Sequence, residues 1–201
     1  MKSSVITALM FIAGLVLGGM GNVIPPHVIP DKLSFYLLCF LLLFVGVSIG
    51  SDERVIGNFR NFQGILLLLP FATMAGTLLG SAVVSLLLPH RSITECLAVG
   101  SGFGYYSLSG IIITEYKGAE LGATALLSNV IREIFALLGP PLFIKYFGKL
   151  APIAVGGATS MDTTLPIILK FSGKDVLLIS IIHGITLDFS VPFLVNFFCS
   201  F

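Results

Sequence analysis

From Asn61 to Pro89 the chain carries not one charged side chain, and no other feature constrains the fold as strongly. A spanning α-helix needs about 20 mostly apolar residues to cross the roughly 30 Å hydrocarbon core of a bilayer. This run meets that length. The rest of the sequence agrees with it. Of 201 residues, 56% are hydrophobic and 10% are charged, against roughly 25% charged in an ordinary soluble domain. Mean hydropathy is +1.04. These values exclude a soluble globule, a disordered chain and a disulfide scaffold. They also exclude a nucleic-acid binder, because 11 basic residues face 10 acidic ones for a net charge of +1 and leave no basic surplus for phosphates. Seven spans need about 140 residues, which fit here with short loops. The expected architecture is an all-α polytopic membrane protein, 1–201 forming a single transmembrane domain with about seven hydrophobic segments.

The first three segments are placed at 5–22, 33–50 and 63–88. The apolar run after Lys2 lacks a small-residue cleavage site and reads as a retained helix rather than a signal peptide. Each segment holds a GxxxG pair, Gly14/Gly18, Gly46/Gly50 and Gly76/Gly80, which predicts flat faces for close helix approach. Cys39, Cys96 and Cys199 form no CxxC pair and read as small buried side chains. Residues 1–90 are therefore expected to be scaffold. After Pro89 each apolar stretch (93–117, 119–144, 150–171 and 175–201) carries an ionisable residue or a break, and 91–201 is expected to hold the substrate and ion site. Charges in hydrocarbon cost about 2.5–3.5 kcal/mol each on insertion scales. With the N-terminus inside, Lys2, Arg54, Arg60, Lys117, Lys170 and Lys174 lie at inner ends and Lys32, Arg91, Lys145 and Lys149 at outer ends. Six against four favours that orientation.

Two stretches predict broken helices. The first, Gly100-Ser-Gly-Phe-Gly-Tyr-Tyr-Ser-Leu-Ser-Gly110, holds Tyr106 and Ser107 and is too rich in glycine for a regular helix. Its spacing is not that of a nucleotide-phosphate loop, and no strand precedes it. The second, Gly156 to Pro166, sets Asp162 among Thr159, Ser160, Thr163 and Thr164, and Pro166 interrupts the helix. Asp162 reads as a cation or proton site, or as the cap of a half-helix at membrane depth. Two broken helices crossing near the bilayer midplane are a pattern of secondary transporters, because exposed helix ends there bind charged ligand groups. Glu115 follows Ile111 to Ile113 and reads as a buried acid able to exchange a proton, or as an interfacial anchor. Arg132 and Glu133 are adjacent and must point to different faces of one helix; an ion pair with a partner elsewhere is the expected fate of at least one. His183 and Asp188 read equally as bundle-interior residues or site residues.

Four motifs then carry a resemblance. Gly102-Phe-Gly-Tyr-Tyr-Ser-Leu-Ser-Gly110 with Thr114-Glu115, Asn129-Val-Ile-Arg132-Glu133, Gly157-Ala-Thr-Ser-Met-Asp162-Thr-Thr-Leu-Pro166 and His183-Gly184 are together similar to the LysO family of bacterial lysine exporters, densely over 95–200. The resemblance implies a multi-pass protein of the bacterial inner membrane that exports L-lysine and its toxic analogues from the cytoplasm, with functional intramembrane acids. It places the family's acid on Glu115. Single-chain members have a further N-terminal helical part with an acid of its own; this chain resembles the longer, C-terminal subunit of a split member. A short helical partner, a homodimer, or both are therefore expected.

The resulting substrate- and ion-binding set is Glu115, Asp162, Ser107, Tyr106, Thr159, Ser160, Thr163, Asn129, Arg132, Glu133 and His183, with no catalytic residue, metal or cofactor. Glu115 and Asp162 would hold ammonium groups, and N–H groups at the breaks the carboxylate. Proton exchange on a carboxylate would make export a proton antiport. Two other readings are open. One is a non-transporting structural subunit of a membrane complex. The other is an intramembrane serine protease built on Ser107-Leu-Ser-Gly110 with His183, for which the Gly-x-Ser-Gly pattern is broken because Ser107 stands in place of the glycine.

Overall fold

The computed structural model describes residues 64–201, together with helical positions 9, 12, 13, 16, 36, 40, 43, 44 and 47. Apart from those positions, the spans expected at 5–22 and 33–50, with Gly14/Gly18, Gly46/Gly50 and Cys39, lie outside the described residues. The chain divides into two compact units, Met1–Arg60 and Asn61–Phe201. The second unit carries both predicted breaks and the helices that surround them.

All regular elements among the described residues are helical. A 3-10 turn at Gly64–Leu68 leads into α1 (Leu69–Ser85). Then come α2 (Ile93–Gly100), α3 (Tyr106–Lys117), α4 (Ala119–Leu138) and α5 (Pro140–Phe147). A short α6 (Ala151–Gly156) continues as a 3-10 turn at Gly157–Met161 and restarts as α7 (Leu165–Ser172); α8 (Leu177–Cys199) ends the chain. Three stretches are long and apolar enough to span, Leu66–Ser85, Ala119–Leu138 and Lys174–Cys199. At 1.5 Å per residue, 20 residues reach about 30 Å.

Helix starts follow sequence chemistry. Ser92 caps α2 in a capping box: its hydroxyl accepts from the Glu95 N–H while the Glu95 carboxylate accepts from the Ser92 N–H. Pro70, Pro140, Pro152 and Pro166 all sit in the first two positions of helices, where the missing N–H has no intrahelical partner to lose. Pro140 also ends the expected 119–144 segment early, at Leu138.

Both predicted breaks are present. The first falls between α2 and α3, at 101–105, and the second between α6 and α7. α3 and α4 form a tight antiparallel hairpin through Gly118, and α8 lies against α2, α3 and the 3-10 turn of the second break. The core gathers Ala98, Phe103, Ile113, Leu121, Ala125, Ala158, Leu187, Val191 and Val195 around these contacts. Ile153, Ile168, Val176 and Ile179 form a second cluster beneath α6 and α7. The outward faces are apolar instead of polar: Phe71, Leu79 and Val83 on α1, and Phe189, Phe193 and Phe197 on α8, are all exposed. Such apolar exterior is far beyond what a soluble monomer tolerates and fits contact with lipid chains.

The close approach expected at Gly76/Gly80 does not occur among the described residues. A Cβ added at either glycine would meet nothing within 4 Å. α1 meets α2 at Gly100 instead, where an added Cβ would lie 2.0 Å from Ser81 Oγ.

Candidate functional site

The two breaks cross each other backbone to backbone. The Ala158 N–H donates to the Phe103 carbonyl at 2.9 Å. Phe103 is fully buried and has φ of 44°, which makes it the one non-glycine residue with positive φ among those described. Left-handed backbone costs such a residue about 1–2 kcal/mol, and here it aims the Phe103 carbonyl across at the other break. Gly157, with φ of 64°, supplies the reciprocal fit: a Cβ there would lie 2.1 Å from Phe103 O.

α4 splints both breaks with two residues one turn apart. The Asn129 carbonyl oxygen accepts from the Gly104 N–H at 2.7 Å, and its amide donates to Ser109 Oγ and to the Ala125 carbonyl. Arg132 serves the second break. In a continuous helix the Ala158 N–H would donate to the Ala154 carbonyl; here it is committed to Phe103. The orphaned Ala154 carbonyl accepts from Arg132 Nη2 and the Val155 carbonyl from Arg132 Nε, both at 2.9 Å. A guanidinium thus caps the C-terminal, partially negative end of α6. The ion pair expected for at least one of Arg132 and Glu133 is not formed among the described residues; the bonds of Arg132 go to these two carbonyls and, at 3.4 Å, to Thr77 Oγ1.

A hydroxyl network holds the 3-10 turn from below. Thr159 Oγ1 donates to the Gly156 carbonyl, and Thr164 Oγ1 donates to the Thr159 carbonyl. Ser160 Oγ donates to Ser180 O, and Ser180 Oγ donates back to Ser160 O. With the Ser160 proton so used, His183 Nδ1–H donates to Ser160 Oγ at 3.1 Å, and Nε2 accepts from the Thr73 hydroxyl at 3.0 Å. His183 is fully buried and ties α8, the second break and α1 together.

On the other side of the crossing, acids gather. Glu133, one residue on from Arg132, lies near Thr163. Asp162 accepts from the Thr163 N–H and hydroxyl. Glu133 and Asp162 lie within electrostatic reach of each other, Tyr106 lies within reach of both, and Asp188 within reach of Asp162. All three carboxylates are half-buried. This face can hold a cation and the crossing's other face, with Arg132, an anion.

A family profile described as lysine exporter LysO matches residues 8–199. The chain belongs to the LysO lysine exporter family. It is 35% identical over 173 residues to a Haemophilus influenzae protein named "Putative lysine exporter", a match that covers 86% of this chain and 87% of that one. It is 32% identical over 188 residues to the Escherichia coli protein named "Lysine exporter LysO", covering 93% of this chain and 61% of the relative. No solved structure matches the chain.

Within this LysO-family fold, the crossing brings together Tyr106, Asn129, Arg132, Glu133, Thr159, Ser160, Asp162, Thr163 and His183. It does not bring in Glu115. That residue stands in the last turn of α3, nine residues and about 13 Å from the helix start, and is exposed rather than buried. A cleft of about 400 Å³ between α3 and α4 nevertheless joins Glu115 and Thr114 to Ser107 and Tyr106 beside the break. Ser107 is exposed in the first turn of α3, and Ser109 donates to the Tyr105 carbonyl. His183 hydrogen-bonds Ser160 and Thr73, so neither serine stands in a dyad with it. Sequence reasoning missed Thr73 and Thr77, placed on a helix expected to be plain scaffold, and left Asp188 undecided. Hydroxyl residues recurring on one face of α1 are the signal that points to the first two.

Proposed function

We propose that this chain exports L-lysine from the cytoplasm across the bacterial inner membrane, as a multi-pass secondary transporter whose substrate passes at the crossing of the two broken helices. The observation that carries this reading is the crossing itself: a backbone-to-backbone contact of two helix breaks, flanked by Glu133, Asp162 and Asp188. Lysine brings two ammonium groups and one carboxylate, and half-buried carboxylates supply what an ammonium loses on leaving water. Family membership and the names of both relatives support lysine as the cargo.

Glu115 is the acid that the family resemblance marks, and we assign it a place on the transport path. The cleft that links it to Tyr106 supports its communication with the crossing. Coupling would make the cycle a lysine–proton antiport. We also read the chain as part of an assembly, with a short helical partner subunit, a second copy, or both; the face of α1 at Gly76 and Gly80, which no described residue approaches closely, supports this. The native mass of the detergent-purified complex reports that assembly directly.

The test of function is efflux of labelled lysine from proteoliposomes loaded with it, with and without an imposed proton gradient. Gradient-stimulated efflux of lysine is the expected result. Loaded vesicles that retain lysine, with any co-purifying partner included, would refute export and favour a structural subunit.

A further inference from the structure

Two clefts lie along one face of α1 and meet at Thr77. One, of about 600 Å³, opens beside Arg91 and Glu95 and runs inward past Ser81 to Gly100, at the edge of the first break. The other, of about 550 Å³, runs from Leu69 past Thr73 and Gly76 to Arg132 and the α6 carbonyls. Thr77 lines both. Each volume lies in the range of small-molecule sites. Of the α1 residues that line them, Thr73, Gly76, Thr77, Gly80 and Ser81 recur three and four apart and so form one stripe of small and hydroxyl side chains, flanked by Leu69, Ala72 and Val84.

Arg132 stands at the meeting point. Its guanidinium has five N–H donors, and the three bonds it makes go to Val155 O, Ala154 O and Thr77 Oγ1. One N–H on each terminal nitrogen is therefore uncommitted. Among the described residues no carboxylate balances its charge by direct pairing: the ion pairs formed there are Arg91–Glu120 and Lys149–Asp175. A cation with spare donors, lining an otherwise neutral cleft beside a hydroxyl, is chemistry that suits a carboxylate: planar, anionic and able to accept from both terminal nitrogens.

We propose that Arg132, with Thr77, is the carboxylate-recognising site of the exporter and holds the anionic end of an α-amino acid where the two α1 clefts meet. This rests on the lysine-export reading and adds to it the group that tells an amino acid from a simple diamine. It also separates the two ends of recognition by one step of α4. Arg132 faces the α1 clefts while Glu133, about 100° further round the helix, faces the acidic side.

The test compares L-lysine with 1,5-diaminopentane, which keeps the two amines and lacks the carboxylate. Binding of each is measured by calorimetry on the purified complex, for the parent, Arg132→Gln and Thr77→Val. The parent should prefer lysine strongly. Arg132→Gln should lower the lysine-to-diamine affinity ratio by at least about tenfold, the loss expected for a charge-assisted hydrogen bond, with diamine binding retained. Thr77→Val leaves the α6 cap in place and should lower the ratio severalfold, so the proposal remains testable if Arg132→Gln misfolds. A purely structural cap would weaken both ligands alike and leave the ratio unmoved, and that result overturns the proposal while lysine export stands. A parent that binds no lysine overturns the export reading and this proposal with it.

Discussion

Replacing Gly157 by alanine tests whether the crossing holds the fold together. The new Cβ would lie 2.1 Å from the Phe103 carbonyl oxygen and 3.1 Å from its carbon. Ordinary contact of such atoms begins near 3.2–3.4 Å, so one break must retreat by about 1 Å. Neither atom met is the tip of a flexible side chain; both are backbone. A retreat of that size takes the Ala158–Phe103 hydrogen bond from 2.9 Å out of bonding range, and leaves a buried donor and acceptor unmatched at about 1–3 kcal/mol. Alanine at a φ of 64° with ψ of −131°, a sparsely populated region for any residue but glycine, adds about 1–3 kcal/mol. The total, about 2–6 kcal/mol, is large against the 5–15 kcal/mol by which folded proteins are stable. Gly76→Ala is the matched control. Its Cβ meets nothing within 4 Å, and in mid-helix the change should be neutral or stabilising by up to about 1 kcal/mol. The assay is the temperature at which each variant loses its monodisperse peak after heating in detergent, read beside lysine efflux. A large drop for Gly157→Ala with none for Gly76→Ala is expected. If the two variants melt together, the crossing is not tight and the assignment of the site to it fails.

Asn129→Ala should destabilise by about 1–3 kcal/mol by stranding the buried Gly104 N–H, and Asn129→Asp should lose at least as much, because it sets a buried carboxylate against the Ala125 carbonyl to which the amide donates; thermal melts of the pair check this. Asp162→Asn should weaken lysine binding, while Glu115→Gln should leave binding measurable and abolish efflux, because Glu115 is exposed and away from the crossing; calorimetry beside an efflux assay separates them, and loss of binding by Glu115→Gln contradicts its placement. Ser92→Ala removes the capping box of α2 and should cost about 1 kcal/mol with lysine affinity unchanged, a small melting shift that would be absent if the cap carried no stability.

The breaks were legible in the sequence because their causes are local. Gly100, Gly102 and Gly104 weaken one helix and Gly156, Gly157 and Pro166 the other, and each acts through its own backbone. The partners of Arg132 were not legible, since they are main-chain carbonyls that any residue type supplies. An ion pair was expected because side chains are what a sequence displays; the half-helix end that binds the guanidinium exists only once Ala158 has turned to Phe103. Thr73 and Thr77 were hidden for a related reason. They occur in the least polar stretch of the chain, where a charge-free run says span and says nothing of which face lines a cleft. Glu115 was expected beside the break because the glycine-rich stretch extends in sequence to Gly110. The helix in fact restarts at Tyr106, and each further residue carries the acid about 1.5 Å away.

One turn of α4 does much of what the site requires. Asn129 and Arg132, three residues apart, share a face and satisfy the backbone groups that each break leaves open. Without them, the freed carbonyls and N–H groups would be buried unpaired, and a regular helix would be the more stable state. Glu133 then takes the adjacent face and turns an acid toward the opposite side of the same crossing. The dipeptide Arg132-Glu133 therefore sets opposite charges on two sides of one backbone contact, through helix geometry alone. An α-amino acid carrying an extra ammonium has opposite charges at its two ends. A carrier for it needs both signs near one point without letting them neutralise each other, and adjacency on a helix achieves that where a facing pair would form a salt bridge.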